Sequence, residues 1–154
     1  MKCVATIAGI EDKTSIKQMF NRFETEFNDK EGYCYYKYPL AGGIDRYLPD
    51  LTIILKEKGF LVIDSIENNI DNIQINNNDE FSINGKPYDN PILLLEDYEF
   101  ALSKQYERYR HLRNKIIINS ILFMPNISEN EFRQKFPEFY NKYENKIIFE
   151  NYID

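Results

Sequence analysis

Apolar positions divide the chain into helical and extended stretches. Ile16, Met19, Phe20, Phe23 and Phe27 recur at helical spacing and give one apolar face. Glu11-Asp12-Lys13-Thr14 ahead of them supplies acidic and capping residues, and Asn28-Asp29-Lys30-Glu31-Gly32 behind them a stop. A helix is therefore expected to start near Lys13. The run from Cys3 to Ile10 is apolar but leaves its type open. Tyr33 to Tyr38 reads as a strand ended by Pro39 and the Gly42-Gly43 pair. Leu51 to Lys56 and Phe60 to Asp64 are stronger strands, rich in β-branched and apolar residues. Glu57-Lys58-Gly59 between them suits a hairpin with Gly59 at positive φ.

Asn72 to Ile75 and Glu80 to Ile83 look like short, half-buried strands among Asn-rich loops. The stretch Asn84 to Pro91 is dense in turn chemistry. Pro91 is placed to open a long helix reaching about Arg113, with Leu94, Leu95, Tyr98, Leu102, Tyr106 and Leu112 on its buried side. Lys115 to Met124 reads as a strand. Ser128 to Tyr143 reads as a helix capped by Ser128 with Glu131 three residues on, broken or kinked at Pro137, and Lys146 to Ile153 as a last strand. No repeat, low-complexity linker or domain boundary interrupts the order. It implies one α/β domain, a mixed sheet with helices on its faces.

Composition narrows the chemistry. At 154 residues the chain is long enough for a core of its own. Cys3 and Cys34 lack CxxC spacing and His111 is the single histidine, so no zinc site is expected, nor an organic cofactor. The charge of −6 and pI near 4.9 argue against nucleic-acid binding through a broad basic surface. The densest basic stretch, Lys104, Arg108, Arg110, Arg113 and Lys115, is by default a solvated helix face. The 12 Tyr and 11 Phe mostly share core spacing with aliphatic residues, which favours packing over base stacking. The longest apolar stretches are too short to span a bilayer and no basic-then-apolar leader opens the sequence, so a cytoplasmic protein with no membrane partner is expected.

The candidate chemistry lies on the hairpin. Pairing about its turn sets Asp50 opposite Asp64, with Cβ atoms roughly 5 Å apart on one face. Two converging carboxylates, a backbone carbonyl and waters make an oxygen-rich site suited to weakly bound Mg²⁺ or Mn²⁺. The alternative reading keeps Asp50 as a turn residue and Asp64 as the solvated end of a strand. Arg46 either positions a phosphate or pairs with Asp45 or Asp50.

Pro49-Asp50, the apolar strands around Gly59, and Asp64-Ser65-Ile66 resemble the PD-(D/E)xK signature. They are similar to the nuclease-related (NERD) domain found at the front of some superfamily 1 helicases. Asn90-Pro91 opening a long helix and Phe123-Met124-Pro125-Asn126-Ile127 ending a strand follow in the matching order. The resemblance implies a restriction-endonuclease-like core, with Asp50 and Asp64 as catalytic, metal-binding acids and the Ser65 carbonyl as a further ligand. It also implies nucleic acid or a helicase-type partner domain as partner, and a chain that forms the front part of a longer polypeptide. Gln105 and Tyr109 match the QxxxY pattern that RecB-like nucleases use toward nucleic acid, a string that also occurs as an ordinary helix-surface pair.

The sequence departs from the pattern at Ile66, where the family carries its lysine, and at Lys13-Thr14-Ser15, where a helix glutamate is expected; Glu24 is a candidate substitute. A lysine from another element, Lys56 or Lys104, is the candidate replacement for the missing donor. Losing such a donor costs on the order of 10² to 10³ in rate. The expectation is therefore a degenerate nuclease-like domain, with an active Mg/Mn nuclease or a protein-interaction scaffold as alternatives.

Overall fold

In a computed structural model, residues 1–5, 13–37 and 47–150 are described. The expected acidic segment Glu11-Asp12, most of the Cys3 to Ile10 run, the Pro39 and Gly42-Gly43 stop and the end of the last strand lie outside them.

The elements run β1 (Lys2–Ala5), α1 (Thr14–Glu26), β2 (Gly32–Tyr36), β3 (Leu51–Leu55), β4 (Gly59–Ser65), β5 (Ile73–Ile75), β6 (Phe81–Ile83), β7 (Lys86–Tyr88), α2 (Pro91–Glu107), β8 (Ile118–Met124), α3 (Glu129–Lys135), α4 (Pro137–Tyr143) and β9 (Ile147–Phe149). Six strands form a mixed sheet in the order β1-β2-β3-β4-β8-β9. The neighbours β2-β3 and β3-β4 are antiparallel, while β1-β2, β4-β8 and β8-β9 are parallel. This is the α/β arrangement expected from the sequence, a mixed sheet with helices on both faces.

Alternation along β3 and β4 decides which helix covers which face. Leu51, Ile53 and Ile63 point to a cluster closed by Ile16 and Phe20 of α1. Phe60, Val62 and Ile66 point the other way, into a larger cluster with Ile92, Leu95, Tyr98 and Leu102 of α2 and Phe132 and Phe139 of the last helices. Strand side chains alternate with period two, so two oppositely placed helices are what this sequence of apolar residues requires.

The hairpin register pairs Leu51 with Ile63 and Leu55 with Gly59. Glu57 takes φ 63° and Gly59 φ 107°. A Cβ at residue 59 would sit 2.0 Å from the Ile117 carbonyl oxygen, so glycine is required by contact as well as by conformation.

Some boundaries differ from expectation and others match it. Asn84-Gly85 is a turn with both residues at positive φ, the geometry that joins two strands, so Lys86–Tyr88 becomes a third strand beside β5 and β6 instead of loop. Helix α2 stops at Glu107, not near Arg113, because residues beyond Tyr106 have no core to bury against and fold into successive turns, with Asn114 at φ 60°. Pro137 does divide the last helical stretch, with Phe136 between two helices of seven residues. Lys13, not an acidic residue, is the N-cap of α1 and makes no side-chain cap. Ser128 and Glu131 form the expected capping box.

Candidate functional site

The site lies where the β3–β4 hairpin opens, at the end of the sheet away from its turn. Asp50 immediately precedes β3, and Asp64 and Ser65 close β4. The hairpin register, continued one step past Leu51 and Ile63, sets the two acids opposite each other. The Ser65 N–H donates to Asp50 Oδ2 at 3.0 Å and to Asp64 Oδ1 at 3.1 Å, so those oxygens are no further apart than the two distances together. The structure thus brings Asp50, Asp64 and the Ser65 backbone into one place.

Asp50 is only 1% exposed, and burying a carboxylate is costly unless donors surround it. Its Oδ2 accepts from the Ser65 N–H, from Ser65 Oγ at 2.8 Å and from Lys13 Nζ at 2.7 Å. The same ammonium donates to the Ser65 carbonyl at 2.7 Å and lies 3.8 Å from Asp64 Oδ1. The Tyr47 hydroxyl donates to Asp64 Oδ2 at 2.9 Å.

Lys13 therefore reaches the site from the start of α1. Its helix is anchored there by distant residues: the Ser15 N–H donates to Glu67 Oε1 at 2.9 Å, and Asn126 Nδ2 donates to the Glu67 carbonyl at 2.5 Å. Both anchors lie just past the ends of adjacent parallel strands, β4 and β8, which explains how residues so distant in sequence meet.

The electrostatics follow from this crowding. Burial, and secondly the charge on Asp50, push the Asp64 carboxyl up to about 7. Lys13 and the Tyr47 hydroxyl pull the other way without cancelling it. Burial acts to lower Lys13, but Asp50 and Asp64 outweigh it and hold the ammonium above its ordinary value. The Tyr47 hydroxyl is raised, by burial first and then by the Asp64 charge. Lys13 is thus a fixed cation and Asp64 a carboxyl that exchanges its proton near neutrality.

Ile66 shares the Asp64 face, as expected, but is 3% exposed and packs within the core of the α2 face. It offers no donor. Neither candidate replacement reaches the carboxylates: Lys56 pairs with Glu31 across the opposite end of the β2–β3 pair, and Lys104 pairs with Glu107 at 3.3 Å on the surface of α2. Glu24 is exposed on α1 and makes no hydrogen bond at this site. Sequence reasoning missed Lys13, Tyr47 and Glu67. The one available signal was Lys13 itself, a cation standing where an acid was expected.

Gln105 and Tyr109 are not brought to the site. Gln105 lies in the last turn of α2, and Tyr109, 53% exposed, lies beyond the helix end, so the two do not share a helix face. The 17 residues of α2 span roughly 25 Å, and its far end packs by Phe60 at the start of β4, remote from Asp64. Arg46 lies outside the described residues.

Beside Asp64 opens a cleft of about 960 Å³, bounded by Tyr47, Tyr88, the small β5-β6-β7 sheet and the Asn90 cap of α2. Four carboxylates line it, from Asp64, Asp79, Glu80 and Asp89, and none of its described lining residues is Lys or Arg. Among the described residues, no group of three His, Cys, Asp or Glu is arranged to hold a metal ion. No described helix is long and apolar enough to cross a membrane.

The donor atoms of a hard-cation site are present in Asp50, Asp64 and the Ser65 carbonyl. All three already face the Lys13 ammonium. As the site stands, a divalent ion does not fit it.

No family model matches the sequence, and no curated protein matches it. Among solved structures, a repair endonuclease from Pyrococcus abyssi is similar, at 12% identity and TM-score 0.43, covering 91% of this chain and 47% of that one. This chain spans about half the length of that endonuclease.

Proposed function

We propose that this chain is a catalytically degenerate nuclease-like domain of the NERD kind, serving in nucleic-acid processing or recognition, or docking a helicase-type partner, without cutting phosphodiesters itself. The observation that carries the reading is the pair Asp50 and Asp64 at the open end of the hairpin with Ile66, buried in the core, where the donor for the developing phosphate charge belongs. Preorganised donors aimed at that charge supply much of the acceleration in such reactions, and the sec-butyl side chain of Ile66 supplies none. The adjoining cleft supports the same conclusion, because its described lining holds no Lys or Arg to receive phosphate oxygens approaching Asp64 from that side, and Lys142 beyond it is paired with Asp79.

The competing reading is an active metal-dependent nuclease in which Lys13 replaces the missing lysine, and the approach of its ammonium to both carboxylates favours that reading. Against it stands the placement of Nζ on Asp50 Oδ2 and Ser65 O, the atoms a metal would need.

Single- and double-stranded DNA and RNA, end-labelled and incubated with the whole chain in Mg²⁺ or Mn²⁺, discriminate the two. The expected result is no cleavage above the rate without protein. Cleavage that disappears in Asp64→Asn and in Lys13→Met would establish the active enzyme and end the degenerate reading.

A further inference from the structure

We propose that the Lys13 ammonium is the resident cation of the Asp50–Asp64 site, and that it excludes Mg²⁺ and Mn²⁺ from the protein. The inference rests on reading the site as nuclease-like, and deepens that reading by naming what occupies it.

Position comes first. Lys13 Nζ sits 2.7 Å from Asp50 Oδ2, 2.7 Å from the Ser65 carbonyl and 3.8 Å from Asp64 Oδ1, one oxygen from each of the three groups a metal would use. Mg²⁺ needs oxygen ligands at about 2.0–2.1 Å in near-octahedral array, and an ammonium cannot share that volume. Either the ion displaces Lys13 or it stays out.

Charge comes second. Two carboxylates with one ammonium carry a single negative charge. A divalent ion beside a retained ammonium would leave an excess of positive charge against a carboxylate, Asp50, that is only 1% exposed.

Anchorage comes third. Displacing Lys13 is opposed by more than its own ion pair, because the residue is the N-cap of α1 and the first turn of that helix is tied through Ser15 to Glu67 and on to Asn126. The side chain is 23% exposed, so it reaches the carboxylates along a route open to solvent at its edge. A neutral side chain of similar length at residue 13 would keep the helix start and free the oxygens.

The test is Mn²⁺ binding to the whole chain, read by the loss of the free-ion electron paramagnetic resonance signal and by calorimetry. Wild-type protein is expected to bind Mn²⁺ at least roughly tenfold more weakly than Lys13→Met, and the gain is expected to vanish in Lys13→Met/Asp50→Asn. Equal affinity of wild type and folded Lys13→Met overturns the proposal, as does a gain that survives Asp50→Asn. Should Lys13→Met fail to fold, the wild-type protein answers directly through the lysine ammonium resonances in nitrogen-15 spectra. The Lys13 signal should hold its position in about 10 mM Mg²⁺, and its release from the site by Mg²⁺ overturns the proposal. These readouts concern metal alone. Cleavage by wild type would defeat the degenerate reading, whereas metal entry without cleavage would defeat only this one.

Discussion

The two ends of strand β4 treat charge in opposite ways. At the Gly59 end, Lys56 pairs with Glu31 on an open surface, and Lys104, Arg108 and Arg113 stand in water around the last turn of α2. At the Ser65 end, Asp50 and Asp64 are buried and one ammonium is aimed between them. Charges in water are interchangeable to the fold. Charges withdrawn from water must be matched group by group, so chemistry and architecture become inseparable at the second end.

The sharpest way to break this comparison is Asp50→Ala. It leaves the Ser65 N–H and hydroxyl and the Lys13 ammonium without their shared acceptor, and should cost about 3 kcal/mol or more in urea denaturation. A loss below about 1 kcal/mol would show that the cluster is as dispensable as a surface pair.

Gly59→Ala attacks the other end through the backbone rather than through charge. With φ at 107° and the Ile117 carbonyl oxygen 2.0 Å from the new Cβ, strand β8 must move away from β4. A destabilisation on the order of 2–4 kcal/mol is expected in the same assay.

Asp64 adds a dependence on pH that the solvated end lacks. Its carboxyl is raised from 3.8 to about 7, so between those values the folded protein retains a proton that the unfolded chain releases. Stability should fall as pH rises through that window and level off above it. Asp64→Asn removes this slope, and at about pH 8 its thermal midpoint should exceed that of wild type. A wild-type midpoint that climbs from pH 4 to 7 would contradict the assignment. The smallest effect belongs to Lys56→Ala, expected to shift stability by less than about 1 kcal/mol because both partners of its pair with Glu31 are solvated.

The two ends also differ in how legible they were. The hairpin, its register and the facing of Asp50 and Asp64 follow from period-two alternation around Gly59, which one strand pair contains in full. The helix faces follow from residues such as Ile16, Phe20, Leu95 and Leu102, again within single elements. What could not be read was Lys13, whose partners lie 37 and 52 positions away. No local pattern encodes such a meeting. The candidate lysines Lys56 and Lys104 instead pair with Glu31 and Glu107, away from the carboxylates. The helix end near Arg113 was overestimated for a related reason: Leu112 continues the spacing of the buried face, but the sheet that would cover it does not extend that far.

The anchoring of α1 by Glu67 has a kinetic consequence. The helix has 13 residues, no acidic residue in its first turn and no cap from its own N-cap side chain, and helices of that length are marginal alone in water. Its Ser15 N–H finds an acceptor only when Glu67, 52 positions on, has been set in place at the end of β4. The expected order is hairpin first, then the start of α1, with Lys13 docking last. Substitutions at Lys13 or Glu67 should speed unfolding and leave the folding rate nearly unchanged, the signature of a contact made on the native side of the barrier.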